Sequence, residues 1–197
     1  SAQYIHLVAE MEKRVFADRA EYLGDPDFFD VDINTLISND YVSKRAAEIN
    51  PTAISPLTSI NPGLESPNTT HYSIVDQWGN AVSNTYTVNW DYGSGVVVGG
   101  AGFLLNNEMD DFAAAPGVPN HYGLIGNDAN AIEAGKRPLA SMTPAIVVSP
   151  EGKVVMAVGG SGGSFIISAT LQTLVGVIDF GLSPQEAVST PRFHHQW

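Results

Sequence analysis

Across residues 50–68 the apolar residues of this chain change from helical spacing to strand alternation. Before that stretch, Ile5, Val8, Met11, Val15 and Phe16 fall on one face of a helix over residues 1–22. Gly24-Asp25-Pro26 stops it. A second helix is expected over residues 34–49, with Leu36, Ile37, Tyr41 and Ala46 inward. Residues 50–68 are rich in Pro, Ser, Thr, Asn and Gly and read as an exposed connector. After it, residues 70–76 alternate, with Thr70, Tyr72 and Ile74 on one side. Gln77-Trp78-Gly79-Asn80 makes a turn and residues 81–89 alternate again, which predicts a hairpin. Glycines 93, 95, 99, 100 and 102 mark a loop or a bulged strand pair. Residues 113–137 form a long polar stretch, of the length that functional lids have. Strands are expected over residues 143–148 and 153–158, then a glycine-rich turn over 159–164 and a helix over 165–180. Ser183-Pro184-Gln185-Glu186 reads as a capping box with Pro at the first helical position, opening a last helix. Helices, then strands, then helices predict an α+β fold with a strand core.

Composition narrows the partners. The chain has 197 residues, enough for one domain with a core. Hydrophobic residues make up 44% and charged residues 15%, a ratio that suits a folded chain. The net charge of −12 repels phosphate backbones and anionic lipid, so nucleic acid and acidic membranes are not expected partners. The absence of cysteine excludes disulfides, thiolate metal sites and a Cys nucleophile. No apolar run is long enough to span a bilayer. Ser1-Ala2-Gln3-Tyr4 enters helical sequence with no signal-peptide pattern, which suits a cytoplasmic protein or an internal piece of a longer one. His121, His194 and His195 lack a metal-ligand spacing with carboxylates, so no metal is expected, and neither Trp78 nor Trp90 implies a cofactor.

Two segments carry chemistry. The turn at 159–164 lies between a strand and a helix, where backbone N–H groups can face an anion. A dinucleotide motif starting at Gly160 would need glycine where Phe165 stands, and no Lys follows as in a P-loop. An oxyanion hole needs only N–H donors and survives; a plain strand-to-helix connection remains the simpler reading of the turn alone. Asn68-Thr69-Thr70-His71 lies where the connector meets the strand. A Thr hydroxyl is a weak nucleophile, but a chain-terminal Thr has a base in its own α-amine. Such an amine titrates near ~7.7–8.0 when unperturbed. A cut after Asn68 would therefore create nucleophile and base together. Taken alone, this segment reads better as two threonines that open a strand.

Four longer runs go further: Thr69-Thr70-His71-Tyr72-Ser73-Ile74-Val75-Asp76, Leu104-Leu105-Asn106-Asn107-Glu108-Met109-Asp110-Asp111-Phe112, Lys136-Arg137-Pro138-Leu139-Ala140-Ser141-Met142-Thr143-Pro144 and Pro191-Arg192-Phe193-His194-His195-Gln196-Trp197. In this order they resemble the small-subunit half of the γ-glutamyltranspeptidases, a family of N-terminal-nucleophile hydrolases. Residues 1–68, with Asp18-Arg19-Ala20-Glu21-Tyr22-Leu23-Gly24-Asp25, resemble the end of the family's large subunit.

The resemblance implies a partial αββα sandwich. Residues 1–68 would be the C-terminal part of the large subunit. Residues 69–197 would be the small-subunit catalytic region, truncated before its last strands. It further implies autocatalytic cleavage between Asn68 and Thr69, with Thr69 as nucleophile and Thr87 hydrogen-bonded to it. Asn89, Glu108 and Asp111 would hold the substrate's α-amino group, a role two carboxylates and an amide suit. Ser141 would bind the α-carboxylate, Gly162 and Gly163 would form the oxyanion hole, and Tyr122 would gate the pocket from a lid over residues 116–127. The substrate would be a glutathione-like γ-glutamyl amide and the acceptor an amine or water. The remainder of the large subunit would be the partner, no cofactor would be needed, and the protein would be periplasmic or secreted.

Two departures stand out. Ala140 replaces the first of the two serines usual before the Met, which removes one α-carboxylate hydrogen bond worth about 1 kcal/mol. Ser161 and Phe165 replace the Pro and Arg usual in the glycine turn. A large-subunit Arg that clamps the α-carboxylate has no counterpart here. These departures leave room for a related acylase acting on cephalosporin-type or glutaryl amides, and for a catalytically inert fragment.

Overall fold

The computed structural model describes residues 1–56, 69–120 and 123–196. The end of the expected connector with Asn68, the lid residues His121 and Tyr122, and Trp197 lie outside the described residues. Packing divides the chain into two units, one from Ser1–Leu64, Met109–Leu139 and His194–Trp197, the other from Glu65–Glu108 and Ala140–Phe193.

The first unit is built on helix α1 (Ala2–Tyr22), whose first turn is capped by the Ser1 side chain accepting from the Tyr4 amide at 3.3 Å. It stops where the sequence predicts. Asp25, just past the end, is buried and accepts from the backbone N and Nε of Arg137 at 2.8 and 3.0 Å. The buried face differs from the expected one. Val8 and Phe16 are inside, with the Phe16 ring edge-on to His194 at 5.3 Å. Ile5, Met11 and Val15 are exposed, while Glu10, Glu12, Lys13 and Arg19 are buried. Buried charge requires partners, and these have them. Glu10 bonds Lys13 at 2.6 Å and Arg14 at 3.1 Å, and also takes the Ser55 hydroxyl and, at 3.2 Å, its amide. Glu12 accepts from the His195 amide at 2.8 Å.

The expected second helix is two helices: α2 (Ile33–Leu36) and α3 (Asn39–Ala47). Asp32 caps one and Ser38 the other, through the amides of Thr35 at 3.0 Å and Tyr41 at 3.2 Å, and the Ser38 cap interrupts the run. Leu36 and Tyr41 are half-buried, whereas Ile37 and Ala46 are exposed. Within the stretch over residues 113–137, Ala113, Gly123, Ala129 and Asn130 are buried, while residues 132–135 are exposed.

The Glu10 cluster makes the unit acid-sensitive. Burial pushes the Glu10 carboxyl up, but bonds from Lys13, Ser55 and Arg14 outweigh it and hold it at about 2, against 4.5 unperturbed. A group depressed on folding stabilises above its unfolded value and ceases to as pH falls through its folded one. The thermal midpoint is therefore expected to drop between pH 4.5 and about 2. Glu10→Gln should lower the midpoint at neutral pH and flatten this part of the profile; an unchanged slope would assign the acid sensitivity elsewhere.

The second unit holds the strands. β1 (Thr70–Val75) pairs antiparallel with β2 (Ala81–Tyr86), from Thr70 opposite Tyr86 to Val75 opposite Ala81. The turn between them is held by the Asp76 carboxylate, which accepts the amides of Trp78 and Asn80 at 2.9 Å each, with Gly79 at φ 87°. β3 (Ala145–Val148) pairs antiparallel with β4 (Val154–Val158), with an irregularity after Val147. Both strands of the first hairpin contact β4. β4 leads through the glycine turn into α4 (Phe165–Ile178), which packs against α5 (Pro184–Ser189) where Gly176 meets Ala187. The Ser183 capping box forms as predicted. These helices and small sheets agree with the expected α+β class.

Candidate active site

Alternation decides what the first hairpin presents. On β1 the residues expected on one side, Thr70, Tyr72 and Ile74, are exposed, and His71 on the other side is half-buried. On β2 the half-buried positions include Ser83 and Thr85, while Val82 and Tyr86 are exposed. The engaged face is the polar one because its groups satisfy each other: His71 Nδ1 meets Thr85 Oγ1 at 2.8 Å and Nε2 meets Ser73 Oγ at 2.9 Å. Ser83 Oγ donates to the Val158 carbonyl at 3.0 Å, which turns this face toward β4. Burial pushes the His71 imidazole below its ordinary value.

One residue beyond the last pair of the ladder, Thr70 and Tyr86, the chain reaches Thr69 on one side and Thr87 on the other. Both are half-buried, as the alternation requires of residues on the face of His71 and Thr85. The Thr87 hydroxyl accepts the Asn89 amide at 2.9 Å. Its oxygen is thereby fixed and its proton is left to donate.

The glycine turn starts at the same face. Val158 is at the level of Ser83, which pairs with Ser73, and Gly159 lies against the ring of His71. The chain leaving β4 therefore runs toward the Thr69 end of β1. Gly162 is buried with φ 129° and Gly163 has φ 58°. Their carbonyls accept the amides of Phe165 and Ile166 at 3.1 and 3.2 Å, opening α4. Among the described residues no acceptor takes the amide of Gly162 or Gly163. That is the condition for an anion site at a helix start.

Asn89 is buried and is the one non-glycine at positive φ among the described residues, at 75°. Strain of this kind persists where surroundings impose it, and here they do. Asn89 Nδ2 donates to the Asn107 carbonyl at 3.3 Å, the Asn107 amide to Val88 at 3.2 Å, and the Trp90 amide to Asn107 Oδ1 at 3.1 Å. Glu108 follows directly, its amide on Asn106 Oδ1 at 3.0 Å. Asn89 is thus bonded to the residue that directly precedes Glu108. Ser141 is half-buried and lies two residues before Thr143, whose hydroxyl donates to Thr170 of α4 at 3.4 Å. Ala140 is exposed and Phe165 is the first residue of α4.

Glu108 and Asp111 are the ends of one 3-10 turn. Asp111 belongs to the first unit, where its carbonyl accepts Asn130 Nδ2 at 2.8 Å. Its charge acts on buried Arg19, whose guanidinium burial lowers to about 10 and Asp111 raises. Sequence reasoning missed Arg19 and Asn130. Asn130 also accepts the Leu139 amide at 3.0 Å and gives its carbonyl to Ala113 at 2.8 Å, so it ties three segments. Its flanks, Ala129 and Ala131, carried no sign of this. Asn68 and Tyr122 lie outside the described residues. Among the described residues no three His, Cys, Asp or Glu cluster as a metal site, and no helix is long and apolar enough to cross a membrane.

Comparison with known proteins gives a concordant result. A family model described as gamma-glutamyltranspeptidase matches residues 1–197. The chain is 62% identical over 196 residues to a glutathione hydrolase proenzyme of Pseudomonas aeruginosa, covering 100% of this chain and 35% of that protein. It is 52% identical over 201 residues to one of Escherichia coli, covering 100% and 34%. The chain therefore spans about a third of the length of these relatives. Among solved structures it resembles an acivicin-inhibited gamma-glutamyltranspeptidase whose C-terminus is ascribed critical roles in autoprocessing and catalysis. The TM-score is 0.63 at 62% identity, covering 65% of this chain and 68% of that one. A gamma-glutamyltranspeptidase of Pseudomonas nitroreducens complexed with L-DON gives 0.63 at 60% identity, covering 64% and 65%.

Proposed function

Since this chain belongs to the γ-glutamyltranspeptidase family, we propose that it carries the nucleophile of an enzyme that cleaves glutathione-like γ-glutamyl amides after self-cleavage between Asn68 and Thr69. The observation that carries the reading is the convergence at one end of the first hairpin. Thr69 and Thr87 continue the face of His71 and Thr85, and Gly159 starts the glycine turn against that face.

In this reading the Thr69 hydroxyl adds to the γ-carbonyl carbon and its proton passes to the Thr69 α-amine. The amides of Gly162 and Gly163 take the charge that builds on the carbonyl oxygen. The C–N bond then breaks, the leaving amine takes the proton, and a γ-glutamyl ester of Thr69 remains. Water or an acceptor amine adds to the ester and gives its proton to the α-amine, which returns it to the Thr69 oxygen as the ester bond breaks. Thr87 donates to the Thr69 oxygen. Asn89, Glu108 and Asp111 are assigned to the substrate's α-ammonium, Ser141 to its carboxylate, and Tyr122 to gating. The remainder of a longer precursor supplies the other wall, and that precursor is periplasmic or secreted, which cell fractionation checks.

Ala140 and Phe165 favour a second reading, a glutaryl or cephalosporin acylase, because they remove a carboxylate ligand and an arginine. The two separate kinetically. A glutaryl anilide lacks the α-ammonium, and bonds to charged groups are worth about 1.5–3 kcal/mol. A full-length precursor containing this chain should turn over γ-glutamyl anilide roughly ten- to a hundredfold faster than glutaryl anilide, by that same allowance. The reverse order would select the acylase. An uncut, inactive chain would select the inert fragment.

A further inference from the structure

We propose that His71 is a positioning residue: its imidazole sets the glycine turn against the strand that directly follows Thr69. The proposal rests on the reading of Thr69 and that turn as nucleophile and oxyanion site.

Both ring nitrogens of His71 are engaged, Nδ1 with Thr85 Oγ1 at 2.8 Å and Nε2 with Ser73 Oγ at 2.9 Å. A ring held at two points cannot swing, so it is a fixed surface rather than a mobile side chain. Gly159 lies directly on that surface. A Cβ at Gly159 would come within 2.4 Å of Cε1 and Nδ1 and 3.0 Å of Nε2. Gly159 is outside the left-handed region, so backbone conformation does not demand glycine there. The ring does. Gly160, next in the chain, would meet nothing within 4 Å. The turn is therefore braced at its first residue, and the brace is two residues along β1 from Thr69. The Gly162 and Gly163 amides follow three and four residues later. A shift of the turn moves the donors relative to the nucleophile, and misplacement by an ångström costs large factors in rate.

The test is a double-mutant cycle in the full-length protein, with Gly160→Ala as the control in the same turn. Gly159→Ala is expected to lower kcat about tenfold or more, with KM and the thermal midpoint little changed. Gly160→Ala should be close to wild type. His71→Asn frees the space while keeping a hydrogen-bonding group, and should lower kcat by a smaller factor. Combining His71→Asn with Gly159→Ala should give a kcat at least about fivefold above the product of the single effects, because the clash has been removed. His71→Ala with Gly159→Ala repeats the cycle with the clash removed by a different side chain. Multiplicative losses in both cycles would overturn the proposal, as would equal losses at Gly159 and Gly160. A drop in kcat matched by a drop in thermal midpoint would also overturn it, by making His71 merely structural. Running the cycle on γ-glutamyl and glutaryl anilides separates the two failures. A wrong substrate reading silences every variant on the γ-glutamyl compound alone. A wrong positioning reading gives multiplicative losses on whichever compound turns over.

Discussion

Thr69→Ala is expected to abolish both self-cleavage and amide hydrolysis in a full-length precursor, by roughly four orders of magnitude or more, the loss typical of removing a covalent nucleophile. The neighbouring Thr70→Ala is expected to be nearly silent. The contrast follows from alternation. Thr70 is exposed on the face of Tyr72 and Ile74, whereas Thr69 is half-buried and continues the face of His71 and Thr85. Two adjacent residues of one type thus have opposite expected effects. Thr69→Ser keeps hydroxyl and amine and should retain part of the rate. With the α-amine as the proposed base, the hydrolysis rate should rise with pH through about 7.7–8.0, the range of an unperturbed amine. Burst and steady-state measurements on γ-glutamyl anilide check all four expectations. Full activity of Thr69→Ala, or loss in Thr70→Ala alone, would remove the nucleophile from Thr69.

Gly162→Ala carries the second large effect. Gly162 is buried at φ 129°, where an L side chain is strained whatever the space, so the backbone must rotate to accept a Cβ. Rotation redirects the amides at the start of α4. Loss of one oxyanion donor costs about 10²–10³ in kcat, and Gly162→Ala should fall in that range with KM little changed. Gly163 at φ 58° lies in the left-handed well that other residues enter at modest cost, so Gly163→Asn should be the milder change. Equal and small effects at both positions would mean that the turn is only a connection.

Three element boundaries were legible because local chemistry sets them, whereas the break at Ser38 in the expected second helix was not. The Ser183 capping box, the stop at Gly24-Asp25-Pro26 and the hairpin turn at Asp76–Asn80 are each decided by a few adjacent residues. The buried faces were not legible. Apolar spacing assigned Ile5, Met11 and Val15 to the inside of α1, yet Glu10 and Lys13 lie there because Ser55, 45 residues from Glu10, satisfies them. On β1 alternation grouped Tyr72 with Ile74 but did not show that the side of His71 is the engaged one, because its partners Thr85 and Gly159 are remote in the chain. Amphipathic period reports which face is greasy; a polar face that satisfies its own hydrogen bonds competes without leaving a periodic trace. Asn130 shows the same limit at a single residue, since its role depends on Asp111 and Leu139. The candidate nucleophile was legible only through long ordered motifs, because an isolated Thr at a strand start has no distinguishing pattern.

The central claim is that Thr69 becomes a chain terminus. Intact-mass measurement of a purified full-length precursor, with N-terminal sequencing of its smaller fragment, tests it directly. Two fragments are expected, one ending in Asn68 and one beginning Thr69-Thr70-His71-Tyr72, with γ-glutamyl anilide hydrolysis appearing as they form. An uncut chain that hydrolyses the anilide at full rate would contradict it.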